Sequence, residues 1–252
     1  MKAVILAGGR GTRLSEETST KPKPLVEAGG QTLLWHIMKN YSRFGINEFV
    51  ILAGFKGNLI REYFASYWLN QADVTFDLSK PDHHVLKTRN LPWKVTVVDT
   101  GLETGTAGRI FAAKHLLDDV FLLTYGDGVA DVDISKLIEC HNKSSNIATL
   151  TAVQPPARFG ALKLIDGQVV EFQEKPDGDG GWVNGGFLVV SPKVFSYLPG
   201  PNSSFEVHTL PVFAAEGALG VYKHLGFWQP VDTIRDLQRL EEFISAGMLP
   251  WI

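Results

Sequence analysis

Residues 2–24 read KAVILAGGRGTRLSEETSTKPKP, an apolar run that passes into glycines and then into clustered cations. The part AVILAG at 3–8 is short, continuous and bounded by glycine, which is typical of a strand buried on both faces. Gly8, Gly9 and Gly11 then allow backbone N–H groups to approach an anion without an intervening Cβ. Because open α/β sheets bind their ligands at the carboxyl ends of the strands, the stretch predicts both a fold class and a ligand site.

Strand and helix patterns alternate through the rest of the first half. The continuous apolar strands imply a sheet covered on both faces, and their alternation with amphipathic helices implies that the strands run parallel. We therefore expect an α/β fold with a Rossmann-like, mostly parallel sheet flanked by helices. The predicted strands lie at 48–54, 94–101 and 120–128, and the predicted helices at 33–44, 57–69 and 107–117.

From about residue 147 the pattern changes to strands that follow one another closely. Asp166-Gly167 is a predicted hairpin turn between two of them. The last helix is predicted at about 233–246. We expect these strands to continue the sheet and to add a small β-rich lobe that forms one wall of the site, within a single domain over 1–252.

The composition argues against some partners and indicates a compartment. The 252 residues include 24 Lys+Arg and 27 Asp+Glu, a formal net charge of −3, so nothing global attracts nucleic acid or an anionic membrane. The single cysteine, Cys140, precludes an intrachain disulfide, and the N-terminal apolar run is too short for a signal peptide or a spanning helix. We expect a cytoplasmic protein without nucleic-acid or membrane partners.

The glycine turn matches neither of two well-known phosphate loops. The P-loop pattern G-x-x-x-x-G-K-[ST] does not occur, and Leu14 stands where the dinucleotide fingerprint G-x-G-x-x-G needs its last glycine. What remains is a turn that contains Arg13, followed by Lys21 and Lys23 in a segment stiffened by prolines. Fixed cations beside a glycine turn suit a polyphosphate whose leaving group gains charge during the reaction. The alternative is a solvated basic turn.

Two aspartates are candidate metal ligands. Asp127 lies between two glycines at the end of the strand predicted at 120–128, where a carboxylate is freely accessible. Mg²⁺ takes one or two protein carboxylates and completes its octahedron with waters and substrate phosphates. Asp232 is the candidate for the second carboxylate. Asp127 could instead cap the next segment, and Asp232 could instead be the N-cap of the last helix.

Several motifs resemble one known family. LAGGRGTRL…KPKPL is similar to the signature of the sugar-1-phosphate nucleotidyltransferases, and similar segments follow in order along nearly the whole chain. The resemblance implies the nucleotide-diphospho-sugar transferase fold, with a nucleotide-binding half at 1–146 and a half at 147–252 that binds the sugar and completes the metal site. The similar segments are LWHIMKNYSRFGINEF, GFKGNLIREYF, VTVVDTG, TYGDGVADVDI, TAVQPPARFGAL, FQEKPDGDG, NGGF and GFWQPVDTIRD.

The resemblance also implies a reaction. In this reaction a phosphate oxygen of a sugar 1-phosphate attacks the α-phosphorus of a nucleoside triphosphate and releases pyrophosphate, with Mg²⁺ as cofactor. The segment SEETSTKPKP resembles the cytidylyl branch of the family, which implies CTP and glucose 1-phosphate as substrates. The family commonly forms closed homo-oligomers, hexamers among them, so we expect a homo-oligomer. Ala107 stands where the family pattern has a glycine, and Phe205 where it has a tryptophan.

The resemblance further implies roles for individual residues. Arg13 would steady the β- and γ-phosphates, while Lys23 and Lys175 would hold the α-phosphate and the incoming phosphate. Asp127 and Asp232 would hold the Mg²⁺. The expected catalytic residues are Arg13, Lys23 and Asp127; the expected nucleotide contacts are Leu6, Ala7, Gly8, Gly9, Arg10, Gly11, Thr12, Arg13, Thr104, Arg109 and Gly126; the expected sugar-phosphate contacts are Lys23, Gly160, Glu174, Lys175, Asn184 and Gly185; and the expected metal ligands are Asp127 and Asp232.

Three other functions are compatible with parts of the sequence. The first is a nucleotidyltransferase that uses UTP, dTTP or another phosphorylated acceptor. The second is a nucleotide-sugar glycosyltransferase, which also uses a strand-end aspartate. The N-terminal glycine–Arg–Lys segment would have no role in that reaction. The third is a catalytically silent sensor or scaffold, which would be expected to lose Arg13, Lys23 or Asp127; the sequence keeps all three.

Overall fold

Strands form the centre of the molecule. The computed structural model describes residues 1–80, 82–88, 90–155, 161–165, 168–173 and 181–251. The strands in these residues are β1 (Lys2–Ala7), β2 (Glu27–Ala28), β3 (Gln31–Thr32), β4 (Glu48–Ala53), β5 (Ala72–Asp77), β6 (Asp82–Thr88), β7 (Lys94–Asp99), β8 (Phe121–Tyr125), β9 (Gly128–Ala130), β10 (Ala148–Val153), β11 (Ala161–Ile165), β12 (Gln168–Gln173), β13 (Val183–Val190), β14 (Leu219–Lys223) and β15 (Trp228–Pro230).

Helices connect and cover these strands. In the described part of the chain, none of the helices combines the length and the apolar character that crossing a lipid bilayer requires. The helices are α1 (Ser15–Thr18), α2 (Leu33–Arg43), α3 (Gly57–Asn70), α4 (Thr106–Ala112), α5 (Ile134–Asn142), α6 (Leu210–Ala215) and α7 (Ile234–Ser245), with short 3₁₀ turns at Thr12–Leu14, Lys23–Leu25, Lys114–Leu116 and Pro192–Ser196 and a π turn at Phe205–Thr209.

The central sheet is mostly parallel. Within the described residues it has seven strands, in the order β14-β10-β13-β8-β1-β4-β7. Strand β1 pairs in parallel with β4 and β8, β4 with β7, and β10 with β14, whereas β13 runs antiparallel between β8 and β10. The predicted α/β fold with a Rossmann-like, mostly parallel sheet is therefore confirmed. Strands from the second half continue the sheet that the first half begins, as the change of pattern near residue 147 predicted.

Two apolar cores cover the two faces of this sheet. Along β1, Ala3 and Ile5 belong to the core that contains α2, while Val4 and Leu6 belong to the core that contains α4. Strand β4 alternates in the same way. A strand that is buried on both faces needs apolar residues at every position, which is why β1 reads as the continuous run AVILA.

A third apolar cluster joins residues near the glycine turn to residues near the end of the described chain. Trp251 is buried there beside Leu14 and Val231, and its indole Nε1 donates a hydrogen bond of 3.2 Å to Nδ1 of His36. The other ring nitrogen of His36 lies 2.9 Å from the carbonyl oxygen of Ala28. Because Nδ1 accepts and Nε2 donates, the imidazole is neutral, and burial lowers the pKa of His36 below its ordinary value of 6.5.

Some elements differ from the sequence-based expectation. The helix predicted at 107–117 ends at Ala112 and continues only as a 3₁₀ turn, and the hairpin of β5 and β6 was not predicted. Strands β11 and β12 pair antiparallel, with Ile165 opposite Gln168, but the predicted turn Asp166-Gly167 between them lies outside the described residues.

Removal of the Trp251 side chain should destabilise the whole domain. Trp251→Ala is expected to lower the free energy of unfolding by about 3–5 kcal/mol, because it empties a packed site and removes the partner of His36. Urea unfolding followed by far-UV circular dichroism would measure the loss. Met248→Ala is the matched control, since Met248 is 58 % exposed and should change stability by less than about 0.5 kcal/mol. Equal effects of the two substitutions would contradict the assigned packing.

Stability should also depend on the neutral state of His36. An unfolded chain binds protons at His36 below about pH 6.5, and the folded chain does so only at lower pH, so stability should fall as the pH drops through this range. The free energy of unfolding, measured between about pH 7.5 and 5.5, should decrease less steeply in His36→Gln than in the parent protein. An unchanged slope would mean that His36 does not couple protonation to folding.

Candidate active site

A cleft opens at the carboxyl ends of β1 and β8. Its volume is about 370 Å³, and Lys23 and Asp127 line it. Of the eleven expected nucleotide contacts, all but Arg10 line this cleft; the Arg10 side chain instead pairs with Glu103 at the exposed rim. The structure thus brings together at one place residues that the sequence separates by more than a hundred positions. The cleft-lining members of the nucleotide set are Leu6, Ala7, Gly8, Gly9, Gly11, Thr12, Arg13, Thr104, Arg109 and Gly126.

The glycine turn is held in one conformation by its neighbours. Gly11 has φ +64°, and a Cβ there would lie 2.8 Å from the Thr18 side chain, so both the backbone and the space require glycine. The Thr18 hydroxyl lies within hydrogen-bond distance of the carbonyl oxygens of Gly11 and Leu14, at 3.0 and 2.9 Å. Leu14 is fully buried and anchors the turn in the third cluster. Arg13, between these fixed points, lines the cleft.

Arg109 connects the backbone segments at the floor of the cleft through hydrogen bonds. Its guanidinium is buried and donates to the carbonyl oxygens of Gly8, Gly101 and Leu102 at 3.1, 2.8 and 3.2 Å, and also to the Thr100 hydroxyl. Burial lowers the pKa of Arg109, although the charges of nearby carboxylates oppose this. A Cβ on Gly8 would lie 2.2 Å from the guanidinium carbon, so Gly8 is needed for the close approach of Arg109. The sequence alone attributed this glycine only to phosphate binding.

Four charged side chains meet at one edge of the cleft. The ammonium of Lys23 donates to Asp127 Oδ2 at 2.8 Å and to Asp232 Oδ1 at 2.7 Å. The guanidinium of Arg13 donates to the other oxygen of Asp232, Oδ2, at 2.8 Å. The Lys23 side chain is 9 % exposed, whereas that of Arg13 is 73 % exposed. We call Arg13, Lys23, Asp127 and Asp232 the charge cluster.

Short strands bring the two aspartates together. Strand β9 follows Asp127 directly, β15 precedes Asp232, and the two strands pair antiparallel with Gly128 opposite Pro230. The backbone N–H of Val231 also donates to the carbonyl oxygen of Asp127 at 2.9 Å. The pairing places both carboxylates at the same end of a two-stranded ribbon, although 104 residues of chain separate them.

The two carboxylates lie close together, and the structure excludes one alternative role of Asp232. The N-cap of α7 is Thr233, which forms a capping box with Asp236, so the Asp232 side chain is not the cap. Since Asp127 and Asp232 each place an oxygen within 2.8 Å of one nitrogen, those oxygens can be no farther apart than the two bond lengths together. Neighbouring ligands of an octahedral Mg²⁺ lie roughly 3 Å apart, and two carboxylates plus phosphates and waters are its usual set. No larger cluster of His, Cys, Asp or Glu side chains suited to a metal occurs in the described ranges.

The sugar-phosphate contacts are only partly described. Asn184 lies on β13, where its amide Nδ2 is 3.5 Å from the Tyr125 hydroxyl and its Oδ1 accepts from the Gly186 N–H at 3.0 Å. The carbonyl oxygen of Gly185 accepts from the Trp228 indole at 2.9 Å. Asn184 therefore connects to the cleft through Tyr125, which lines it. The expected contacts Gly160, Glu174 and Lys175 lie outside the described residues.

Sequence reasoning missed a carboxylate behind the cleft wall. Glu206 accepts from the hydroxyls of Thr106 and Tyr125, both at 2.6 Å, and of Ser204 at 2.7 Å. Burial would raise the pKa of Glu206, but these three hydrogen bonds outweigh it and leave the pKa lowered. Burial, followed by the charge of Glu206, raises the pKa of Tyr125. Nothing in the local sequence around Glu206 signals this contact, because all but one of its partners lie about 80 to 100 positions away.

The contrast between two adjacent glycines tests the role of Arg109. Gly8→Ala should lower the free energy of unfolding by roughly 1–3 kcal/mol, because Arg109 must give up carbonyl partners to make room. Gly9→Ala is the matched control, since a Cβ at Gly9 meets nothing within 4 Å; its effect should stay below about 0.5 kcal/mol. Chemical denaturation in the absence of ligands measures both. If Gly8→Ala is as stable as Gly9→Ala, the guanidinium is not held as described.

Comparison with known proteins agrees with this architecture. The model of the nucleotidyl transferase family matches residues 2–246. The chain is 52 % identical to a glucose-1-phosphate cytidylyltransferase of Salmonella typhimurium, with 100 % of this chain and 98 % of the relative covered, and 45 % identical to a probable glucose-1-phosphate cytidylyltransferase of Bacillus subtilis, with 100 % and 99 % covered. The crystal structure of HddC from Yersinia pseudotuberculosis superposes with a TM-score of 0.71 at 23 % identity, over 96 % of this chain and 99 % of that one. These matches cover almost the whole chain, and the chain belongs to the nucleotidyl transferase family.

Proposed function

We propose that this chain transfers a cytidylyl group from CTP to α-D-glucose 1-phosphate, forming CDP-glucose and releasing pyrophosphate in a Mg²⁺-dependent reaction. The chain is a nucleotidyltransferase, and relatives that are 45–52 % identical over its full length carry the name glucose-1-phosphate cytidylyltransferase. The observation that carries the proposal is the charge cluster. It joins the cationic glycine turn to two carboxylates at the carboxyl ends of the strands.

The chemistry needs alignment and charge neutralisation more than proton transfer. The nucleophile is a phosphate oxygen that is already anionic near neutral pH, so no general base is required. Arg13 is positioned to steady the β- and γ-phosphates, since its guanidinium reaches the cleft and is largely exposed. Lys23 lies deeper, between the carboxylates, where it can neutralise the α-phosphate. Mg²⁺ bound at Asp127 and Asp232 would supply further neutralisation between the two phosphate groups.

Thr104 offers a basis for the choice of cytosine. Its hydroxyl lies 2.5 Å from the carbonyl oxygen of Thr100, which can only accept, so the Thr104 proton points away from the cleft. The Thr104 oxygen is then left as an acceptor at the cleft wall. Cytosine presents an amino donor at position 4, where uracil and thymine present a carbonyl. An acceptor that faces a carbonyl leaves buried polar atoms unpaired, which is how such sites reach high discrimination.

The compartment and the oligomeric state of the enzyme are part of the same proposal. We infer a cytoplasmic homo-oligomer, in line with the family resemblance.

Turnover measurements test the reaction and the roles of its residues. With glucose 1-phosphate and Mg²⁺, pyrophosphate release should be fastest with CTP among CTP, UTP, dTTP and GTP.

Arg13→Ala should lower kcat about 10²–10³-fold, because it removes a fixed donor that serves the transition state. Asp127→Asn should abolish Mg²⁺-dependent turnover while the far-UV circular dichroism spectrum stays unchanged. Arg61→Ala is the matched control for Arg13, since Arg61 pairs with Asp99 outside the cleft.

Each part of the proposal can fail separately. Faster turnover with UTP or dTTP would replace the base assignment and keep the enzyme class. Full activity in the presence of EDTA would refute the metal assignment. A loss of less than fivefold in Arg13→Ala would remove Arg13 from its role in phosphate binding.

A further inference from the structure

The two expected metal ligands already have cationic partners. Lys23 and Arg13 between them contact three of the four carboxylate oxygens of Asp127 and Asp232, at 2.7 to 2.8 Å. The two carboxylates, the ammonium and the guanidinium carry charges that cancel. The charge cluster is therefore neutral without any divalent ion, which leaves little electrostatic attraction for one.

The position of the Lys23 ammonium competes with a divalent ion directly. An ion that binds both carboxylates at about 2.1 Å would lie within about 5 Å of the ammonium nitrogen, whichever side of the oxygens it occupies. The Lys23 side chain is 9 % exposed, so water and salt screen the repulsion only weakly. Lys23 also has little freedom to withdraw, because a buried ammonium without anionic partners is costly.

A nucleoside triphosphate changes this balance. Its phosphates offer new anionic partners to the ammonium of Lys23 and the guanidinium of Arg13. Once those cations turn to the phosphates, the oxygens of Asp127 and Asp232 become free, and the added negative charge favours a divalent ion. Arg13 can move easily because it is 73 % exposed, whereas Lys23 needs only to redirect its terminal ammonium.

We propose that Lys23, besides its contact with the α-phosphate in the proposed reaction, is a positioning residue for Asp127 and Asp232. In the free enzyme it holds the two carboxylates together and keeps divalent ions off them; when nucleotide binds, it releases them, so that metal enters with the nucleotide and not before it. This inference rests on the proposed function, because it takes Asp127 and Asp232 as the metal ligands. An ion pair that only stabilised the fold would stay closed when nucleotide binds and would not free the two carboxylates.

Binding of Mn²⁺ to the nucleotide-free protein tests the inference. The amount of free Mn²⁺ would be measured by electron paramagnetic resonance during titration of the full chain. Lys23→Met should lower the dissociation constant for Mn²⁺ by about tenfold or more relative to the parent protein. The double substitution Lys23→Met with Asp127→Asn should lose that gain. Lys21→Met is the matched control: Lys21 lies in the same proline-stiffened segment but pairs with Glu17 and Glu27 at 3.8 Å, so its removal should leave Mn²⁺ affinity unchanged.

A second variant keeps the test decisive if Lys23→Met does not fold. Arg13→Gln removes one cation from Asp232 at an exposed position and should tighten Mn²⁺ binding by a smaller factor, about two- to fivefold. The melting temperature of Lys23→Met, where the variant folds, should rise with added Mn²⁺, while that of the parent protein should not. Equal Mn²⁺ affinity of the parent and Lys23→Met would overturn the inference, and so would an unaltered affinity in Arg13→Gln where Lys23→Met is unfolded. Failure of the proposed reaction would be seen separately, as absent turnover with CTP.

Discussion

The antiparallel pairing of β9 with β15 is the constraint on which the active site depends. A parallel α/β sheet by itself collects loops from the first half of the chain, but it gives no reason for Asp232, near the end of the sequence, to approach the glycine turn. Three facing residue pairs in this ribbon, followed by the hydrogen bond from Val231 to Asp127, fix that approach. Backbone hydrogen bonds are directional, so the ribbon fixes how the two backbone segments that carry the carboxylates lie beside each other.

Two buried cations in the same cleft have different kinds of hydrogen-bond partners. Arg109 donates to neutral carbonyl oxygens that follow the ends of neighbouring strands. Its planar guanidinium therefore holds these segments together in a fixed geometry. Lys23 is satisfied only by carboxylates among the contacts that the described residues give its ammonium, and it sits where substrate charge must arrive. Arg109 therefore shapes the floor of the cleft, while Lys23 is the cation that takes part in the chemistry of the proposed reaction.

The first strand and the turn after it could be predicted from the amino-acid sequence, because both depend on residues that are neighbours in the chain. The run AVILA and the glycines after it predict a doubly buried strand followed by a turn, and the structure has that strand and a glycine turn that lines the cleft. Asp232 could not be assigned from its surroundings, since an aspartate just before a helix is an ordinary cap; only the family resemblance favoured a metal ligand, and the capping box of Thr233 and Asp236 now excludes the cap. Glu206 and its hydroxyl partners were missed because the contacts join distant segments. The metal and substrate roles themselves stay predictions that follow from the resemblance.

The third apolar cluster joins the beginning of the chain to its far end. Leu14, beside the glycine turn, packs in the same cluster as Trp251. During synthesis, residues close to the growing end remain inside the ribosomal tunnel, so this cluster cannot close until Trp251 has emerged. The turn beside Leu14 is made early, but part of its support comes from a residue more than 200 positions later in the sequence. A nascent chain would thus contain β1 and the glycines after it long before the packing that holds the turn in place could form.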